Sequence, residues 1–255
     1  MARLTPAVTR ALDILELFLD AEDPLAAPEI VRRLELPRTT VHELLATLVA
    51  RSYLVQEADG RYRLGVRLYQ LGSSYAERLD LASEGQEVAR RVAASCHETV
   101  HVAVLEGTDV IYVAKVDSTQ AVRMVSATGR RLPAHCTAVG KMLLASLPDD
   151  ELRARVPEGV PLAAMTSQSI TEPPVLYAEL ATARELGTAL EDRESNSDVS
   201  CVAAPVRDRG GDVVAALSIS VPTQRWNDER REELRRLAAS GAEELSARLG
   251  HRRSG

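Results

Sequence analysis

Cysteine and histidine side chains that could bind a metal ion come together at one place in the sequence. Cys96 and His97 are adjacent, and His101 follows His97 by four residues, the spacing of two zinc ligands on one helix. The stretch "TVHVAVLEG" is typical of a β-strand, however, and there the two histidines would lie two pleats apart. We therefore predict that no metal is bound here.

His135 and Cys136 form a second pair with chemical potential, because a histidine can activate a cysteine nucleophile. Adjacent residues of an extended segment point apart, and the sequence suggests no third group to orient the histidine. No P-loop or GxGxxG motif is present, and Gly210-Gly211 is typical of a hairpin turn. We predict no catalytic residues and no cofactor, and we expect His135 to form a hydrogen bond within its own loop.

The stretch "ELPRTTVHELLATLVARSYLV", Glu35 to Val55, could recognise DNA. A turn-forming proline precedes apolar residues at the spacing of one helix face: Val41, Leu44, Leu45, Leu48 and Val49. The polar residues off this stripe in the first turns are Arg38, Thr39, Thr40, His42 and Glu43. In a helix-turn-helix protein such a face enters the major groove, so we predict that these five residues contact operator DNA.

The flanking elements match that interpretation. Apolar residues at helical spacing between Val8 and Leu19 predict a first helix, and Pro28 is well placed to begin a short second helix. After the third helix, Asp59-Gly60 predicts a two-residue hairpin turn. The hairpin arginines, Arg61 and Arg63, alternate with apolar residues and could reach phosphate or the minor groove. Three helices and a hairpin in this order predict a winged helix-turn-helix.

The charge of this segment is the observation against DNA binding. Residues 1–67 contain nine arginines and ten acidic residues, whereas a DNA-binding domain usually has a basic face. Most of the arginines follow the first helix, where contacts would be made, and Glu43 could accept a hydrogen bond from cytosine N4. The formal charge of −6 for the whole chain indicates neither nucleic acid nor an anionic membrane as a partner.

The rest of the chain predicts a second domain of α+β class. Residues 66–95 are predicted to be helical with a break near Gly72–Ser74, and strand-like and helix-like stretches then mix. We predict a DNA-binding domain at 1–67, a linker helix at 68–80 and a second domain at 81–255. Three widely spaced cysteines, no leader peptide and no apolar run of about 18 residues predict a cytoplasmic protein without a membrane segment.

Four motifs together resemble the IclR family of bacterial transcriptional regulators: "TRALDILELF", "LPRTTVHELLATLVARSYL", "GRRLPAHCTAVGKMLLASL" and "CVAAPVRDRGGDVVAALSISVP". The resemblance extends from about Pro6 to Leu249. It implies a winged helix-turn-helix followed by an effector-binding domain of GAF/PAS-like fold with a mixed sheet. It also implies homodimers that can pair into tetramers, double-stranded operator DNA as one partner and a small organic acid as effector.

The resemblance further implies a ligand pocket at matching positions: Met124, Leu132, Ala138, Val139, Glu191, Cys201, Ser218 and Ser220. Ala138 and Val139 would offer backbone N–H groups to a carboxylate at a helix N-terminus. Ser218 and Ser220 alternate on a strand and would face the ligand together. Met124 and Leu132 would form an apolar wall.

The sequence departs from the family pattern at a few positions. Glu43 stands where an arginine is frequent, Ser52 where glycine is frequent, and "SDVSC" replaces a glycine-containing stretch before Cys201. Other roles remain open for the pocket residues: Cys201 as a buried apolar filler, the serines as partners of backbone groups, and Glu191 as a solvated loop carboxylate.

The sequence, together with this resemblance, predicts a ligand-responsive transcriptional regulator. Two alternatives remain. One is a transcription factor that senses thiol oxidation or metal through Cys96, Cys136 or Cys201 with nearby histidines. The other is a metabolic enzyme on a GAF-like domain.

Overall fold

The computed structural model describes residues 4–19, 21, 23–76, 81–120 and 128–252, with only the backbone described for 72–76. The chain forms two compact units, Met1–Leu79 and Asp80–Gly255. No helix in the described part of the chain is long and apolar enough to cross a membrane.

The first unit has the predicted winged helix-turn-helix order. Its elements are α1 (Pro6–Glu16) with a 3-10 turn at Leu17–Leu19, α2 (Ala27–Leu34), α3 (Arg38–Ala50), β1 (Leu54–Gln56), β2 (Tyr62–Leu64) and α4 (Val66–Ala76). Pro6 and Pro28 lie in the first turns of their helices, where a missing N–H removes no helical bond. Glu35, with φ of 54°, ends α2 and begins the turn into α3.

The core of this unit confirms the predicted stripe of α3. Val41 and Leu45 are fully buried, and they pack in one cluster with Ile14, Ile30 and Leu54. Burying these side chains removes apolar surface from water and fixes which side of α3 faces solvent.

α1 is helical as predicted, but it has two apolar faces. Ile14 and Phe18 are buried in the core, whereas Val8, Leu12 and Leu19 are more than half exposed. The apolar residues from which this helix is predicted therefore lie mostly outside the buried face.

Two local predictions in this unit are wrong. The hairpin turn is not a two-residue turn at Asp59-Gly60, because the Glu57 N–H bonds to the Arg61 carbonyl at 2.8 Å and leaves three residues between them. Gly60, with φ of 83°, supplies the left-handed position that such a loop needs. α4 also continues through Gly72 to Ala76 without the predicted break.

The second unit is an α+β domain, as predicted. Its elements are α5 (Leu81–Cys96), β3 (Thr99–Glu106), β4 (Asp109–Val116), β5 (Arg131–Pro133), a 3-10 turn at Ala134–Cys136, α6 (Ala138–Ala145), α7 (Asp149–Arg155), α8 (Pro173–Leu186), β6 (Ala189–Asp192), β7 (Val199–Arg207), β8 (Val213–Pro222), a 3-10 turn at Thr223–Arg225 and α9 (Asp228–Arg248). The six described strands form one sheet in the order β5-β4-β3-β8-β7-β6, and their pairings are all antiparallel, so this sheet is antiparallel and not mixed.

Helices cover both faces of this sheet. α5 and α9 pack on one face, in a cluster that includes Val102, Leu217 and Ile219. α6 packs across β3, β6, β7 and β8 on the other face, in a cluster that includes Ala103 and Ala216. Successive residues of a strand point to opposite faces, so the polar residues at alternate positions lie together under α6.

Candidate functional site

The predicted DNA-contacting residues lie on the outer side of α3. Arg38, Thr39, His42 and Glu43 are exposed, and Thr40 is half-buried, whereas Val41 and Leu45 point into the core. The first turns of this helix therefore present polar side chains to solvent within the first unit.

The hairpin arginines are exposed but have partners. Arg61 donates to the Pro24 carbonyl at 3.1 Å, and Arg63 Nε donates to Glu57 Oε1 at 3.1 Å. Exposed ion pairs contribute little stability, so these guanidinium groups can exchange their partners for a phosphate at low cost. The loop of the hairpin brings Glu57 close to Arg63, a contact that the order of residues alone does not indicate.

In the second unit, a buried row of polar side chains crosses the sheet beneath α6. In strand order it consists of Glu191 on β6, Cys201 on β7, Ser220 on β8 and His101 on β3. The Cys201 thiol donates to Ser220 Oγ at 3.2 Å, and that oxygen lies 3.4 Å from His101 Nδ1. Three of the predicted ligand residues (Glu191, Cys201 and Ser220) are thus brought together with a histidine that was considered only as a metal ligand.

Ser218 lies beside this row. It pairs with His101 on one side and Ala203 on the other, two residues before Ser220 on the same strand. Both serines are buried and face α6, which confirms that they share one side of β8.

Glu191 is buried, so the alternative of a solvated loop carboxylate is wrong. Its Oε1 accepts hydrogen bonds from the N–H groups of Glu194 at 2.6 Å and Ser195 at 3.1 Å. Its Oε2 is buried and has no hydrogen-bond partner among the residues described. Burial raises the pKa of Glu191 to about 7, because loss of water disfavours the charge more than the adjacent Cys201 thiol and these N–H groups favour it.

His101 is fully buried and neutral. Its ring packs on Tyr112 with centroids 4.5 Å apart. Burial, assisted by the charge of Lys115, lowers the pKa of His101 to about 3. The imidazole therefore places no positive charge in the row at neutral pH.

The N-terminus of α6 is fixed in the same interior. Thr137 Oγ1 accepts from the Gly140 N–H at 3.0 Å and caps the helix. Ala138 and Val139 are its first two residues and are buried. A Cβ at Gly140 would lie 2.2 Å from the Ala134 carbonyl oxygen, so glycine permits this close approach.

Lys141, one turn further along α6, is a buried residue that the sequence analysis missed. Its Nζ donates to Glu194 Oε1 at 2.6 Å and to Glu179 Oε1 at 3.3 Å. A lysine inside the apolar stretch "AVGKMLLA" was the available signal, because a buried ammonium requires carboxylate partners.

The structure describes one of the two residues that were predicted to form an apolar wall of the ligand pocket. Leu132, on β5, packs in the same cluster as Ala138, Val139 and Cys201. Met124 lies outside the residues that the structure describes.

The thiols have the wrong environment for a reactive cysteine. Burial raises the pKa of Cys96, Cys136 and Cys201, whereas a reactive thiol needs a lowered pKa.

His135 Nε2 lies 2.9 Å from the Ala163 carbonyl, so its partner belongs to a different loop from the predicted one. No group of three or more potential metal ligands occurs within the described ranges.

A cavity of about 530 Å³ lies elsewhere, between β7 and α9. Ala204, Ser240, Ser246 and His251 are among its lining residues, and none of the predicted ligand residues that the structure describes is. The predicted ligand residues and this cavity are therefore separate features of the second unit.

A helix-turn-helix with an exposed polar face, followed by an α+β domain that buries a row of polar side chains, is the organisation of a ligand-responsive transcriptional regulator. The family model for the IclR helix-turn-helix domain matches residues 7–58, and that for the bacterial transcriptional regulator IclR C-terminal domain matches residues 73–247. The chain therefore belongs to the IclR family of bacterial transcriptional regulators.

Individual relatives agree with this assignment. The HTH-type transcriptional regulator KdgR of Escherichia coli K12 is 33% identical over 96% of this chain and 93% of its own. The crystal structure of the Agobacterium tumefaciens repressor BlcR has a TM-score of 0.91 at 31% identity, covering 99% of this chain and 100% of that one. An IclR homologue from Microbacterium hydrocarbonoxydans, solved with 4-hydroxybenzoate, has a TM-score of 0.60 at 28% identity and covers 95% and 98%.

Proposed function

We propose that this protein binds operator DNA as a homodimer and that a small organic acid, bound at the buried polar row, changes its affinity for that DNA. The observation that carries the proposal is the division of α3, whose buried side holds the first unit together while Arg38, Thr39, His42 and Glu43 face solvent. A helix presented in this way fits the major groove.

The DNA contacts divide into two kinds. Arg38, Thr39, Thr40, His42 and Glu43 would meet base edges, since they occupy the first turns of α3. Arg61 and Arg63 would contact the backbone beside the groove, where they position the helix without reading sequence. We assign residues 1–67 to DNA binding, 68–80 to a linker helix and 81–255 to effector binding.

A second copy of the chain is the partner that the exposed apolar residues of the first unit support. Val8 and Leu12 on α1 and Val66, Tyr69 and Leu71 on α4 are all more than half exposed. Apolar surface of this kind favours association, and two half-sites on DNA need two reading helices. Dimers would pair into tetramers as the family resemblance implies.

The effector would lie against the α6 side of the sheet. Its carboxylate would accept hydrogen bonds from the N–H groups of Ala138 and Val139 at the start of α6, with hydroxyl groups of Ser218 and Ser220 beside it. Glu191 and Cys201 would contact its other end, and Leu132 and Met124 its apolar part. The complex of a structural neighbour with 4-hydroxybenzoate supports a small carboxylate as ligand.

The protein would act in the cytoplasm as a switch without catalytic activity. An effector changes operator affinity only as far as it binds the two arrangements of the dimer differently. The buried, unreactive thiols favour this switch over a thiol sensor.

The first step of the test is to select, from a randomised pool, DNA duplexes that bind the full-length protein. Fluorescence anisotropy should show that Arg38→Ala weakens binding to the selected duplex by about 10- to 100-fold. A panel of small carboxylates should raise the melting temperature and change the dissociation constant for DNA. If saturating acid raised the melting temperature but left DNA affinity unchanged, the switch would be wrong.

A further inference from the structure

Two carboxyl groups meet at the β6 end of the polar row. Glu194 follows β6 in the turn toward β7, and its N–H donates to Glu191 Oε1 at 2.6 Å. Both glutamates are buried, at 1% and 6% exposure for Glu191 and Glu194. The Oε2 atoms of both are buried and lack a hydrogen-bond partner among the described residues. Buried acceptors without a donor are costly, so this pair is suited to a ligand that donates hydrogen bonds.

Two hydroxyl groups from another loop form hydrogen bonds with the backbone of the turn that carries Glu194. Thr166 Oγ1 donates to the Arg193 carbonyl at 2.6 Å, and Ser169 Oγ donates to the Glu194 carbonyl at 2.7 Å. The backbone of the turn is therefore fixed before any ligand arrives, and preorganised acceptors lower the cost of binding.

Charge decides which kind of donor fits. Lys141 pairs with Glu194 at 2.6 Å and, more loosely, with the half-exposed Glu179. No cation pairs with Glu191 in the part of the chain described by the structure. A second ligand carboxylate would be repelled by this pair, and an ammonium would have to be stripped of water. A hydroxyl donates a hydrogen bond without bringing another charge into the interior.

The pair lies close to the proposed anion subsite. Lys141 is on the same helix as Ala138 and Val139, and three residues of helix span about 4.5 Å. Cys201 adjoins Glu191 across the β6–β7 pairing and reaches Ser220 on the next strand. The glutamate pair and the proposed anion subsite are therefore connected through Lys141 on α6 and through the Cys201–Ser220 contact.

We propose that the effector carries, besides its carboxylate, two hydroxyl groups that donate to the unpartnered oxygens of Glu191 and Glu194. The ligand is thus a polyhydroxy acid, and Glu194 determines this specificity. The inference rests on the proposed function, since it assigns chemistry to the same site.

The test is calorimetric titration of the full-length protein at about pH 8, where Glu191 is mostly ionised and its Oε2 is an acceptor, with acids of matched chain length. Propanoate, 2-hydroxypropanoate and 2,3-dihydroxypropanoate add hydroxyls one at a time, and 3-aminopropanoate replaces a hydroxyl with an ammonium. Affinity should rise about tenfold with each hydroxyl, because each one satisfies a buried acceptor. Butanoate and 2,3,4-trihydroxybutanoate should repeat the preference at a longer chain length.

Two variants test whether Glu194 causes the preference for acids that carry hydroxyl groups. Glu194→Asp keeps the charge but withdraws the carboxylate by one methylene, and it should reduce the preference for the dihydroxy acid about tenfold. Glu179→Asp is the matched control, because it shortens the other carboxylate that pairs with Lys141 but lies outside the pair of glutamates, and it should leave the preference intact. Retained preference in Glu194→Asp would overturn the role of Glu194.

The outcomes separate this inference from the proposed function. If propanoate or 3-aminopropanoate bound as tightly as the dihydroxy acid, and Ser218→Ala with Ser220→Ala abolished that binding, the hydroxyl preference would be wrong and the effector site would stand. If no acid of the series bound, the effector site itself would be overturned. The wild-type series gives this answer even if a variant fails to fold.

Discussion

Lys141 and Glu194 form a buried ion pair between α6 and the turn after β6, with Nζ 2.6 Å from Oε1. Lys141 has no exposed surface, and its second partner, Glu179, is half-exposed. The pair thus joins the helix that begins at the proposed anion subsite to the turn that carries the two glutamates.

Removing one member of this pair should be more damaging than removing both. Lys141→Met leaves Glu194 buried without its cation, and we expect the free energy of unfolding to fall by about 3 kcal/mol. Lys141→Met combined with Glu194→Gln should recover part of that loss, because no uncompensated charge remains. Urea denaturation of the two single variants and the double variant measures the coupling. Strictly additive losses would show that the pair contributes no interaction energy.

Glu191 should make the protein less stable as pH rises. Its pKa is raised to about 7 in the folded state, so between the ordinary carboxyl value and pH 7 the folded chain binds more protons than the unfolded chain. Stability is therefore lost as pH rises through this window, by up to about 3 kcal/mol. Glu194 and Cys201 face this carboxyl and remain in place in Glu191→Gln.

The measurement is urea denaturation of wild type and Glu191→Gln at several pH values between 4.5 and 8. The variant should gain stability relative to wild type as pH rises, and the difference should level off above pH 7. Glu229→Gln, the same change at an exposed position of α9, is the matched control. A pH-independent difference for Glu191→Gln would contradict the raised pKa.

His101 has the opposite dependence. Its pKa is lowered to about 3 by burial, with Lys115 lowering it further and Asp117 opposing. The unfolded chain then binds an additional proton below the ordinary histidine pKa, so stability falls as pH drops below about 6.5. His101→Gln should lose about 2 kcal/mol less than wild type between pH 7 and pH 5. Equal losses in the two proteins would show that His101 titrates normally.

The periodicity of the sequence predicts which face of a helix or strand a residue occupies, but it does not predict the neighbours of that residue. Alternation along a strand placed Ser218 and Ser220 on one side, and helical spacing separated Val41 and Leu45 from the exposed face of α3. Both are local properties of the chain. The neighbours of a residue across the sheet depend on long-range register, so the contact of His101 with Ser220 does not follow from the order of residues.

The same distinction explains the other differences. The exposed and buried apolar faces of α1 share one helical pattern, and only packing shows that Ile14 and Phe18 enter the core. Glu191 lies in a stretch rich in polar residues, "EDRESNSD", which is typical of a loop. Its burial arises because the short edge strand β6 pairs with the next strand, β7, and lies beneath α6.

The two kinds of DNA contact should differ in salt dependence. Arg63→Ala should weaken binding to selected and unselected duplexes alike, and it should reduce the slope of log affinity against log salt by about one. Arg38→Ala should instead weaken binding mainly to the selected duplex, because it removes a base contact. Anisotropy titrations between about 50 and 200 mM salt distinguish the two. The exposed Arg184→Ala, in the second unit, is the control.

The outward apolar face of α1 should govern self-association. Leu12 is 52% exposed, and Leu12→Glu places a charge in the surface that we propose a second copy covers. The dissociation constant of the dimer should rise at least about tenfold, because burying an unpaired carboxylate is costly. Sedimentation velocity at micromolar concentrations measures this, and the affinity for a two-half-site duplex should fall in parallel. Val175→Glu introduces the same charge at a similarly exposed valine of α8 and should change neither quantity. An unchanged dimer in Leu12→Glu would place the contact between copies on another surface.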